Sequence, residues 1–284
     1  MTPATSASPA SPASPATGTA SATAIDAARA RGHAALIAYL PVGFPDLATS
    51  VAACRAAIEG GADLIELGMP YSDPLMDGPV IQHAVEAALR AGTRTRDLFA
   101  AVDQLTGGGV PTLVMTYWNP VERYGTPAFA RDLAAAGGAG LITPDLIPDE
   151  AADWLAASDA HHLERIFLVA PSSTPARIAA TAAACRGWVY AASTMGVTGE
   201  RASVGARAEQ LVADTRAAGA TRVCVGLGVS RADQAADIAR YADGVIVGAA
   251  FVRALTEAGT AAEGVEAVRR LAADLAAGIR GGAA

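Results

Sequence analysis

The chain has 284 residues, 52% of them hydrophobic and 17% charged, enough apolar matter to bury one sizeable core, and disorder along its whole length is excluded. All 21 basic residues are arginine, so chemistry that needs a lysine amine is excluded, including Schiff-base aldolases, pyridoxal-phosphate enzymes and the P-loop lysine. With 28 acidic residues the formal charge is −7 and the isoelectric point about 5.1, the wrong sign for gripping nucleic acid or an anionic membrane, so a small molecule or another protein is the expected partner.

Residues 1–24 contain only Met, Thr, Pro, Ala, Ser and Gly, with no charged side chain. Such a run cannot build a core and is expected to be a disordered tail. It lacks the basic start and continuous apolar stretch of a secretory leader, which makes a cytoplasmic location the expectation. Residues 25–284 are left for one folded domain, close to the roughly 250 residues typical of an eight-stranded α/β barrel. In that part, short apolar runs alternate with alanine-rich segments of helical periodicity. Strands are predicted at 35–40, 63–67, 112–116, 140–143, 165–169, 188–191, 222–225 and 244–247. Crossover helices are predicted between them, at 47–59, 79–91, 127–136, 150–157, 175–184, 206–218 and 231–240. A doubly wound open sheet alternates in the same way but rarely needs eight evenly spaced units, so the expected fold is a (β/α)8 TIM barrel. No stretch approaches the roughly 18 apolar residues of a membrane span.

In such a barrel the active site lies at the C-terminal mouth, in the loops that follow the strands. After the second strand comes LIELGMPYSDPLMDGP, residues 64–79, with Glu66 inside an apolar strand and Asp73 and Asp77 in a Pro/Gly-rich loop. A carboxyl in apolar surroundings has its pKa raised, which suits acid/base work near neutral pH, and a second carboxylate in a different setting can stay ionised to stabilise positive charge. The alternative is a structural ion pair at Glu66 with aspartates that cap turns. After the sixth strand runs YAASTMGVTGERASV, residues 190–204, a segment that could close over a ligand or serve as an ordinary connection. GLGVS (226–230) and GAAF (248–251) follow the last two strands and open helical segments, leaving backbone N–H groups free to surround a phosphate. Cys54, Cys185 and Cys224 are too far apart, and the four histidines too irregular, for a disulfide framework or a metal site.

The second-strand motif, MGVTG (195–199), GLGVS and the YWNP of 117–120, in this order, resemble the tryptophan synthase α-subunit family, of actinobacterial type, over about residues 30–255. The resemblance implies retro-aldol cleavage of indole-3-glycerol phosphate to indole and glyceraldehyde 3-phosphate, without a cofactor or metal. It implies Glu66 as catalytic acid/base, Asp77 as the carboxylate that holds the ring N–H and stabilises positive charge, and Tyr190 as a tyrosine beside the glutamate. By the same resemblance Tyr117 belongs to the indole pocket and Thr198 and Gly199 to the loop after the sixth strand, while Gly199, Gly228, Gly248 and Ala249 bind phosphate. The family usually carries serine where this chain has Ala249. The resemblance further implies an α2β2 heterotetramer with a pyridoxal-phosphate β subunit, with Asp73, Pro74 and Asn119 near the interface. A stand-alone indole-releasing lyase and an inert phosphate-binding regulator are the alternatives.

Overall fold

A computed structural model describes residues 18–192, 201–226 and 228–281. Eight parallel strands close into a barrel in sequence order: β1 (Ala35–Pro41), β2 (Leu64–Gly68), β3 (Thr112–Met115), β4 (Gly140–Thr143), β5 (Glu164–Val169), β6 (Val189–Ala192), β7 (Val223–Gly226) and β8 (Gly244–Val247). The last strand pairs back onto the first, with Ile37 opposite Ile246. Every predicted strand is present, with ends that agree or differ by one residue.

The helices are α1 (Ala20–Ala30), α2 (Leu47–Glu59), α3 (Pro79–Arg90), α4 (Thr95–Leu105), α5 (Trp118–Tyr124) and α6 (Thr126–Ala135), then α7 (Ala152–Ala160), α8 (Pro175–Ala184), α9 (Arg201–Ala217), α10 (Ala232–Ala239), α11 (Ala249–Thr256) and α12 (Ala261–Gly281). Sequence punctuation sets several starts. Asp46 caps α2 by accepting the Thr49 N–H at 2.8 Å, Thr174 caps α8, and proline opens α3 and α8. Helices α4, α5 and α12 fall in segments to which the sequence assigns no element.

The two-residue period of each strand sorts its side chains between two cores. On β1, Leu36, Ala38 and Leu40 face outward and join Phe129, Trp154 and Phe251 in the layer between sheet and helices. Ala35 and Ile37 face inward and join Leu64, Leu113, Ile142, Ile166, Trp188, Cys224 and Ile246, which fill the barrel. That filling closes the lower part of the barrel and leaves the next layer up, at the C-terminal ends of the strands, to form the site.

Helix α1 corrects the expected boundary of the tail. Residues 20–24, assigned from composition to the disordered segment, are the first turn of this helix. Its residues Ile25 and Ala28 belong to the inner core, and Ser21, fully buried, donates its N–H to Glu164 at 2.8 Å and its hydroxyl to the other oxygen of the same carboxyl. Trp188 Nε1 donates to the Ser21 Oγ at 3.1 Å. Alanine and serine carry no apolar period, but alanine is the strongest helix former, and the contact that orders this turn lies far away in the chain.

Candidate active site

Strand β2 delivers Glu66. Its neighbours Ile65 and Leu67 turn outward to the helices, so Glu66 must point into the barrel. It is 1% exposed there, and its Oε2 is enclosed with no hydrogen-bond partner among the described residues. Burial, and after it the charge of Asp77, push this carboxyl up to about 8.

The loop that leaves β2 returns Asp77 to the same place. Its shape is fixed from β3: the Tyr117 phenol, just before α5, accepts the N–H groups of Leu75 and Met76, each at 3.0 Å. The Tyr117 ring packs against Tyr71 with centroids 5.2 Å apart, and Gln82 of α3 donates to the Asp77 carbonyl at 2.8 Å. Asp77 is half-buried; burial raises its pKa above the ordinary aspartate range, and the Tyr117 phenol beside it acts in the opposite direction. The two carboxyl groups therefore sit in unlike surroundings, one sealed in the barrel wall and one partly open.

Glu66 and Asp77 share a cavity of about 400 Å³ at the C-terminal mouth with Tyr39 and Tyr190. Burial, then the Glu66 charge, hold the Tyr190 phenol well above its usual range, so it stays a protonated donor. Gly228, Gly248 and Ala249 form the far side of the cavity. Gly228 has φ +66°, a conformation that favours glycine, and the first turn of α11 leaves the N–H groups of Ala249 and Ala250 without helical partners. These free backbone donors could cradle an anion, with no side-chain hydroxyl at Ala249 to add to them.

The structure thus brings together Glu66, Asp77, Tyr190, Gly228, Gly248 and Ala249. Tyr117 stands behind the loop, engaged with its backbone, and is not part of the cavity lining. Thr198 and Gly199 lie outside the described residues. Sequence reasoning passed over Tyr39, whose available signal was a tyrosine near the C-terminal end of the first strand, and the apolar walls Met115, Ile81 and Ile246. Among the described residues no three His, Cys, Asp or Glu side chains are grouped to hold a metal ion, and no helix is long and apolar enough to cross a membrane.

A larger hollow, about 800 Å³, lies at the opposite mouth between the start of α1 and the turns before β3 and β5. Its one buried carboxyl, Glu164, is already satisfied by Ser21. Chemistry in this fold belongs to the C-terminal mouth, so the smaller cavity is the candidate site.

The profile of the tryptophan synthase alpha chain family matches residues 25–280. A curated tryptophan synthase alpha chain from Mycobacterium tuberculosis is 62% identical over 255 residues, covering 90% of this chain and 92% of its own, and one from Mycobacterium marinum is 60% identical, covering 90% and 93%. A solved structure of M. tuberculosis tryptophan synthase superposes with a TM-score of 0.86 at 58% identity, covering 93% of this chain and 99% of its own. The tryptophan synthase alpha chain of Legionella pneumophila gives 0.84 at 30% identity, covering 93% and 98%. The barrel, the paired carboxyl groups at its mouth and a match over nearly the whole folded part agree, and the chain belongs to the tryptophan synthase alpha chain family.

Proposed function

We propose that the chain, a carbon–carbon lyase of tryptophan biosynthesis by its family, cleaves indole-3-glycerol phosphate to indole and glyceraldehyde 3-phosphate with Glu66 moving the protons and Asp77 stabilising the positive charge. The observation that carries this reading is the pair of carboxyl groups on one cavity, with Glu66 sealed and held protonated up to about pH 8 and Asp77 partly open.

A protonated Glu66 can give its proton to C3 of the indole ring, which becomes an indoleninium cation. Asp77, ionised, accepts the ring N–H and balances that charge, an interaction stronger in the transition state than in the ground state. The Glu66 carboxylate then takes the proton of the hydroxyl on the side-chain carbon bonded to the ring. The oxygen's electron pair forms the aldehyde carbonyl, the carbon–carbon bond breaks, and its electrons return to the ring as neutral indole. Glu66 ends protonated, as it began, so the cycle needs neither an outside proton nor a cofactor. Tyr190, a protonated phenol near Glu66, supports the exchange. The backbone cradle of Gly228, Gly248 and the first turn of α11 suits the phosphate. Thr198 and Gly199 are assigned by family resemblance to the loop that completes the site.

Assembly with a tryptophan synthase β subunit as α2β2 is part of the same proposal. Leu75 is 78% exposed and Met76 45%, two apolar side chains on the loop that also delivers Asp77, and Asp73 and Asn119 are exposed on the same rim. An apolar surface continuous with the catalytic loop fits a partner that consumes an apolar product. A cytoplasmic setting belongs to this reading too, supported by the enclosed free thiols of Cys54 and Cys224. The test is indole release from indole-3-glycerol phosphate by the purified protein, alone and with a β subunit. Slow release that rises severalfold with the partner is expected; no release in either case from folded protein would overturn the assignment.

A further inference from the structure

Among the described residues that line the cavity, one polar side chain has no part in the reaction above, the phenol of Tyr39. It stands on the inward face of β1, in direct register with Glu66 on β2, and is 7% exposed. Its ring lies across a glycine of β2 and another just past the end of β8, the two strands that flank β1. A Cβ at Gly248, just past the end of β8, would come to 3.0 Å from the ring, and one at Gly68 of β2 would come closer still, to the hydroxyl itself. The backbone on both sides is therefore cut back at the level where this one side chain crosses. The ring base lies at the phosphate-cradle end, beside Gly248, and the hydroxyl at the carboxyl end, beside Gly68. Among the described residues the hydroxyl makes no hydrogen bond, and Tyr39 lines the cavity. Burial, followed by the charges of Asp77 and Glu66, holds the phenol well above its usual range, and it remains a donor at any working pH.

A substrate held by its phosphate at Gly248 and Ala249 and by its ring N–H at Asp77 must lay its connecting chain past Tyr39. We propose that the Tyr39 hydroxyl donates a hydrogen bond to a hydroxyl of that chain, and so makes the site specific for a polyol between the aromatic ring and the phosphate. This rests on the substrate assigned above. A donor in a closed apolar cavity is well suited to such a distinction, because a chain lacking the hydroxyl leaves the donor unpaired.

The test compares Tyr39→Phe, which keeps the ring across both glycines and removes only the donor, with the parent protein on two ligands. One is indole-3-glycerol phosphate, read as kcat/KM for indole release with saturating β subunit; the other is 3-(indol-3-yl)propyl phosphate, which has the same ring and phosphate but no chain hydroxyls, read as Kd. Expected is at least a tenfold loss in kcat/KM with a Kd for the hydroxyl-free ligand within twofold of the parent, which also shows that the variant site is intact. A kcat/KM within twofold of the parent, or an equal loss on both ligands, would overturn the proposal. Failure of the parent itself to cleave indole-3-glycerol phosphate would instead strike the assigned function.

Discussion

Glu66 and Asp77 differ in what surrounds them, and that difference carries separate consequences for each side chain. Removing the ionisable group from Glu66 with Glu66→Gln leaves the site isosteric but without a proton to move, so lyase activity is expected to fall by about 10²–10⁴-fold in an indole-release assay. The same substitution reports on stability. A carboxyl whose pKa rises from 4.5 in the unfolded chain to about 8 in the fold binds more protons when folded, so parent stability is intact below pH 4.5 and falls as pH rises toward 8. Glu66→Gln escapes this loss; its Tm is expected to match the parent near pH 4.5 and to exceed it by a widening margin up to pH 8. A constant margin would show that Glu66 is not titrating across this range. For catalysis, kcat/KM is expected to fall as pH rises above about 8, where Glu66 loses its proton in the free enzyme. Asp77→Asn keeps the hydrogen-bonding shape but not the charge, and a preorganised electrostatic group of this kind contributes on the order of 3 kcal/mol, so at least a hundredfold loss of kcat is expected.

Among the elements, α11 is the one proposed to hold the phosphate. Its first turn offers backbone donors but opens with alanine, where the family resemblance implies serine. One added hydroxyl donor contributes about 1 kcal/mol, so Ala249→Ser is expected to lower KM for indole-3-glycerol phosphate about fivefold with kcat little changed. An unchanged KM would place the phosphate away from this helix end. The loop after β2 is the second element with a dual task, since one face carries Asp77 into the cavity while Leu75 stands out in solvent. Tyr117 couples the two faces by holding the Leu75 and Met76 N–H groups, so contact made on the outer face can reach Asp77 through three residues of backbone.

At the scale of the whole molecule, α1 ties the N-terminal mouth together. Besides Ser21 on Glu164, Asp26 is paired with Arg222 just before β7, and Arg29 meets Asp243 just before β8 at 3.3 Å. Ser21→Ala leaves one oxygen of a buried carboxyl without its donor and is expected to cost about 1–3 kcal/mol. For a domain of this size that lowers Tm by several degrees, at about 2–4 °C per kcal/mol. Deleting residues 1–17 is expected to leave both Tm and lyase activity unchanged, whereas deletion through Ala24 removes Ser21 and is expected to destabilise the barrel. Thermal melts of the two shortened chains check this, and equal melting temperatures would show that the first turn of α1 contributes nothing.

Strand positions were legible because each strand is a short apolar run bounded by Gly, Pro or Asp, and such patterns are local. Glu66 and Asp77 were legible for a related reason: a carboxylate embedded in an apolar strand and a second one eleven residues on, in a loop stiffened by proline, are both visible within one short segment. The start of α1 was not, since what orders Ser21 is Glu164, 143 residues away in the chain. Nor was the place of Tyr117 behind the catalytic loop, nor the role of Gly68 and Gly248 in giving Tyr39 its room, because each depends on which strands become neighbours when the barrel closes. The sequence by itself determined the strands, most of the helices between them and the two carboxyl groups, whereas only the closed barrel decided their surroundings, because burial and cross-strand contact, which raise the pKa of both Glu66 and Asp77, exist only once β8 has paired with β1.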